Sequence, residues 1–254
     1  MQIESLQVRR IEEDTKVSKR TIIALILILI CIPATIAFGV FVLADRSDVG
    51  DRSYYITSLI VIVLSIIPFL LIFEDRKPQA REVVIISVLI TIAVIGRAAF
   101  FMLPQFKPIV AIVIIAAVSL GPETGFIIGS LTAFISNFLF GQGPWTPWQM
   151  FALGIIGFIA GVLFNKGILK KKLLPLCIFG ALSSFLIYGV LLDTGSLLMF
   201  TSEFSVKAWI ASLVAGFTFN AILAVATVFF LIVLSGVFIE KLDRVKKKYG
   251  ILQV

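Results

Sequence analysis

The chain contains no histidine and only two cysteines, Cys31 and Cys177. Without an imidazole it has no Ser-His or Cys-His nucleophile, no haem ligand and no usual zinc set. Both cysteines lie inside apolar runs without ligand-type neighbours, so they read as small hydrophobic side chains. No G-x-x-x-x-G-K-[ST] stretch occurs, so the chain does not hydrolyse nucleotide through a P-loop of its own. Charged residues make up 15% of the chain, and no apolar run carries a pair of carboxylates. The inventory for acid–base chemistry is therefore thin. No cofactor and no metal are expected.

What the chain has is apolar length. Of its 254 residues, 59% are hydrophobic, and the mean hydropathy is +1.09. A globule in water must cover itself with polar groups, so this composition belongs to an integral membrane protein. Apolar runs predict helices near Thr21–Ala44, Tyr55–Phe73, Glu82–Leu103, Pro108–Leu120, Pro122–Phe140, Trp148–Phe164, Leu173–Leu192 and Val206–Ile239. The first run is too long for a signal-peptide core and is expected to be a retained span. The fold class is thus all-α: a polytopic transmembrane bundle of about eight spans.

Most of the 22 Lys and Arg fall in four clusters, at 9–20, 76–81, 166–172 and 241–248. Basic clusters that border spans follow the positive-inside bias and favour a lipid bilayer over nucleic acid as partner. They place both termini in the cytoplasm of a plasma-membrane protein, which agrees with an even span count. The breaks at Asp45–Tyr54, Pro104–Lys107, Gly141–Pro147 and Asp193–Ser205 then share the outer face.

Glycines at 121, 125 and 129, and at 157 and 161, recur every four residues. That spacing lets helix backbones approach closely in lipid, along either an internal seam or a seam with a partner. Ser87 and Thr91, one turn apart, are a weaker version of the same signal. Arg97 lies deep in its run, where a charge must snorkel, pair or line a wet cavity. Asp193 is its candidate ion-pair partner. Asn137 and Asn220 are buried amides that serve either as interhelical glue or as ligand contacts. Glu123 reads as a helix N-terminal cap.

Simple anchoring does not require the insert Asn137-Phe-Leu-Phe-Gly-Gln-Gly-Pro-Trp-Thr-Pro-Trp-Gln149. Tryptophan at an interface is explained by lipid anchoring alone. Here, however, Trp145 and Trp148 flank a proline and accompany the amides of Gln142 and Gln149. Indole faces plus directed hydrogen bonds suit a flat, partly polar solute. Tyr188 in the seventh run is a weaker candidate for the same site.

Three patterns carry a family resemblance. A small-residue helix (Ser87, Thr91, Ala93) ends near Arg97 and Pro104. Leu120-Gly-Pro-Glu-Thr-Gly-Phe-Ile-Ile-Gly129 forms a turn between helices. Ile155-Ile-Gly-Phe-Ile-Ala-Gly161 follows the loop and runs on to the basic stretch at 165–172. Taken in order, they resemble the substrate-binding S components of energy-coupling factor (ECF) vitamin transporters.

The resemblance implies a six-helix module at 82–240, preceded by a cytoplasmic segment (1–20) and two extra spans (21–81), and followed by a basic tail (241–254). It implies capture of a vitamin-like solute from outside, with a weak lean to a corrinoid. Import would then be driven by a transmembrane coupling subunit and cytoplasmic ATPases as the S component reorients in the bilayer. Carried over, Gln142, Trp145, Trp148 and Gln149 belong to an occluding loop, Arg97 to the first module helix and Asn220 to the last. Ser87 and Thr91, where relatives often carry an alanine pair, would face the partner together with Gly125 and Gly129. An ion-coupled carrier, a membrane enzyme and a non-transporting assembly subunit are the alternatives.

Overall fold

The computed structural model describes residue 34 and residues 53–75, 79–201 and 205–249. The expected first span, Thr21–Ala44, lies outside the described residues apart from Ala34, as do residues 1–20 and 250–254. Among the described residues the fold is entirely helical. In chain order the helices are α1 (Ser53–Asp75), α2 (Ala80–Ala99), α3 (Ile109–Leu120), α4 (Pro122–Phe140), α5 (Thr146–Asn165), α6 (Leu173–Phe200) and α7 (Val206–Tyr249). Helices α2 and α4–α7 are each long and apolar enough to cross a bilayer.

Helix α3 explains the layout. Its twelve residues rise only about 18 Å, well short of the roughly 30 Å hydrocarbon core. All twelve are buried, so α3 is wrapped by protein and meets no lipid. It starts beside α2 rather than beyond its end, because Pro108 packs where Gly96 has no side chain. The intervening residues, Phe100–Lys107, turn back over the bundle. Phe100 and Phe106 hold this turn against Phe230 of α7, with ring centroids 5.0 and 5.5 Å away. At its other end α3 is capped by donors. Lys171 Nζ donates to Val118 O (2.8 Å), Lys246 Nζ to Ser119 O (3.3 Å) and Asn165 Nδ2 to Ala117 O (3.2 Å). These groups complement the negative end of the helix dipole.

Helices α4 and α5 form the closest pair. Gly125 faces the backbone of Gly157, Gly129 that of Leu153, and Gly161 that of Pro122, at separations that leave no room for a Cβ. The four-residue glycine spacing therefore makes an internal seam. Gly125 and Gly129 are both buried, which corrects their assignment as partner-docking residues: a face filled by α5 has no surface left for a second protein.

Two boundaries also move. Helix α6 continues to Phe200, so Asp193 is a helical residue and not part of a loop. Within it, Ser183–Gly189 is wound as a π-helix. There Ser184 donates to Thr227 Oγ1 of α7 (2.8 Å). Helix α7 runs unbroken to Tyr249, so the basic stretch from residue 241 onward continues the last helix.

Helix α1 is packed into the bundle. Ile62 and Ile66 of α1 are buried in one apolar cluster with Phe126 of α4 and Trp148 of α5.

Candidate functional site

At the end of the bundle where α2 stops, a chain of hydrogen bonds joins α2, α4 and α5. Arg97 Nη1 donates to Ser136 Oγ and to Asn137 Oδ1 (2.8 Å), and the guanidinium lies 4.6 Å from the centre of the Phe140 ring. Asn137 Nδ2 passes its two protons to Thr146 Oγ1 (3.0 Å) and Gln149 Oε1 (2.8 Å). Thr146 donates to Gln142 Oε1 (2.9 Å), and Gln142 Nε2 donates to Phe134 O (2.9 Å). Each proton has one acceptor, so the network is self-consistent. Asn137 is buried and uses its whole side chain in it. It acts as the glue that a polar group inside a bundle must be, and it also fixes the two flanking residues, Arg97 and Gln149.

Arg97 and Gln149 face a cavity of about 80 Å³. Gln105 and Lys107 from the α2–α3 turn and Tyr188 from the π-helical stretch of α6 complete its polar part, and Ile109 at the start of α3 lines it as well. The cavity exists because α3 is short: its first residue sits below the end of α2, and the returning turn roofs the space. The π-helix contributes as well, since an inserted residue alters which side chains of a helix face inward. Burial lowers the pKa of the Lys107 ammonium, and the nearby Arg97 charge lowers it further. Convergent polar groups set among apolar side chains (here Ala133, Leu153 and Leu223) can fix a small molecule's orientation.

Of the residues singled out from sequence, Arg97, Gln149 and Tyr188 meet at this cavity, and Asn137 and Gln142 support it. The two indoles go elsewhere. Trp148 is 5% exposed and packs on Gly195 of α6 within the cluster that receives α1. Trp145 lies 39% exposed against Gly143.

Asn220 is in the α6–α7 seam, where its Nδ2 donates to Asp193 Oδ2 (2.8 Å). Nearby, Ser212 donates to Asp193 O (2.9 Å) and Trp209 Nε1 to Thr194 Oγ1 (2.9 Å). The expected Arg97–Asp193 ion pair is not formed: Arg97 binds Ser136 and Asn137, while Asp193 binds Asn220. Ser87 and Thr91 lie on the exposed face of α2, and each hydroxyl returns to a carbonyl four residues earlier.

Sequence reasoning missed Ser136, Thr146, Gln105 and Lys107. Ser136 and Thr146 are small hydroxyls that hydropathy treats as neutral. The Pro104-Gln-Phe-Lys-Pro108 turn did carry a signal, a lysine and an amide held between two prolines.

A UPF0397 protein of Vibrio atlanticus (strain LGP32) is 28% identical over 125 residues, covering 46% of this chain and 68% of its own. A UPF0397 protein of Aliivibrio salmonicida (strain LFI1238) is 30% identical over 132 residues, covering 50% of this chain and 69% of its own. No solved structure matches. Residues 81–237, which take in helices α2–α6 and most of α7, match the family described as ECF transporter, substrate-specific component. Over well more than half its length, then, the chain belongs to the substrate-specific components of ECF transporters, multi-pass membrane subunits that work with a module of transmembrane and ATPase subunits.

Proposed function

We propose that this chain captures a small, vitamin-class solute at the Arg97 cavity and presents it to an ECF module for ATP-driven import. The observation that carries this reading is the cavity itself. Six helices converge on it, two side chains in its wall are oriented by the Asn137 network, and its roof is a short turn pinned by phenylalanines. A scaffold or assembly subunit has no use for such an oriented set of donors. The basic clusters support an orientation with the Arg97 end outside the cell and the Lys171 end and both termini in the cytoplasm.

At about 80 Å³ the cavity holds a solute head group, whereas whole drug-sized ligands occupy roughly 300–1,000 Å³. A corrinoid therefore gains no support. The solute enters by displacement of the Phe100–Lys107 turn or of the loop between α4 and α5, where Gln142 and Trp145 are exposed. Docking to the coupling subunit is assigned to the exposed face of α2, with Val84, Ser87, Val88 and Thr91. A groove of about 360 Å³ runs beside it between α2 and α7. Because Ser87 and Thr91 satisfy their own hydroxyls within the helix, they present a smooth, small-residue stripe.

The test is binding by the purified chain in lipid nanodiscs, without ATP or an ion gradient, against a panel of water-soluble vitamins and precursors. Tight binding of one of them, abolished by Arg97→Gln in protein that still elutes as a folded species, is the expected result. Uptake driven by sodium or protons with no ATPase present would instead establish a secondary carrier.

A further inference from the structure

The cavity wall offers donors and positive charge almost without counterweight. Two of the five N–H groups of Arg97 are engaged, both on Nη1, so three have no protein partner among the described residues. Gln149 accepts from Asn137 through Oε1, which leaves its NH₂ group unengaged. The Tyr188 hydroxyl and the Lys107 ammonium also lack a hydrogen-bond or ion-pair partner among the described residues. No carboxylate belongs to the described wall, and Asp193, the nearest acid in sequence to Tyr188, is held by Asn220. Two like charges sharing a partly desolvated space repel each other, and burial penalises both. Such a pair is stable when an anion lies between them, and charge-assisted hydrogen bonds are the strong ones.

The geometry points to an oxyanion, a carboxylate or phosphate group of the solute, held between Arg97 and Lys107 with Gln149 and Tyr188 donating to it. The positive end of the α3 dipole, which opens at Ile109 in the same wall, acts in the same sense. This inference rests on the capture reading above and adds the chemical class of the captured group.

The test uses matched probes on the full chain in nanodiscs at low salt, read by unfolding temperature and by titration. The pairs are benzoate against benzamide, nicotinate against nicotinamide, and phenyl phosphate against phenol. Lys107→Gln is the informative variant, because Lys107 has no partner in the fold to lose. Stabilisation by the carboxylates or by the phosphate, but not by their neutral counterparts, is expected. Lys107→Gln should then weaken binding about tenfold or more, the usual scale of a hydrogen bond to a charged group, and Lys107→Arg should restore it. Which arm responds identifies the oxyanion. Equal stabilisation by neutral members, or an anion effect that survives Lys107→Gln, overturns the inference and leaves capture standing. If no member of any pair stabilises the protein, both fall.

Discussion

Asn137 is the residue on which the site's geometry turns. It is 1% exposed and bonds Arg97, Thr146 and Gln149 at once. Replacing it by Leu keeps the volume but strands a guanidinium and an amide. Asn137→Leu should therefore lower stability by about 2–4 kcal/mol, the cost of leaving buried polar groups unpaired, checked by thermal unfolding. Trp148 gives the opposite kind of prediction. Its indole fills the cluster between α1, α5 and α6 and is not part of the described cavity wall. Trp148→Ala should destabilise by about 3–5 kcal/mol, as large buried aromatics do. The solute affinity of the remaining folded fraction should be unchanged. A loss of affinity at unchanged melting temperature would put the indole in the binding site.

The contrast between these residues shows what sequence carries at this scale. Arg97 and Gln149 were legible because a charge or amide inside an apolar run demands a reason. The direction of Trp148 was not: an indole beside two prolines looks the same whether it turns toward a solute or toward Gly195 of another helix. Asp193 was misplaced because the apolar pattern weakens there while the helix continues to Phe200.

Among the elements, the α4–α5 pair and the short α3 set the architecture. Gly129 meets the Leu153 backbone with no room for a methyl group. Gly129→Val should thus abolish the monodisperse size-exclusion peak, while Gly236→Val, at a position with nothing within 4 Å, should leave it intact. Equal tolerance of both would mean the seam is loose. The four-residue glycine rhythm was visible in sequence. Whether it served an internal or a partner seam was not, because the same spacing serves both. The π-helix of Ser183–Gly189 had no readable signal, since one added residue in a continuous apolar run changes facing without changing composition. The shortness of α3 was readable as a twelve-residue run. Its consequence, a recess roofed by Gln105 and Lys107, requires knowing that α3 starts beside Gly96.

For the whole molecule, family membership and the all-helical bundle were both within reach of the sequence, because apolar run length and the order of the glycine motifs survive without coordinates. The contribution of α1 was not. It buries Ile62 and Ile66 against Trp148 and so belongs to the folded body. Docking belongs to this scale too. Ser87→Trp with Thr91→Trp should leave solute binding unaltered, because both lie on the exposed face of α2, away from the cavity. The same pair should prevent co-purification of the transmembrane coupling subunit and the ATPases. If the complex survives that bulk, docking uses another face.

The most direct measurement is native mass spectrometry of the full chain, released from nanodiscs after purification from cells grown in rich medium. Wild type should carry a bound small molecule that is absent from Arg97→Gln and reduced in Lys107→Gln at equal folded yield. Wild type free of any small molecule, or the same mass retained at equal occupancy in both variants, would contradict capture at the Arg97 cavity.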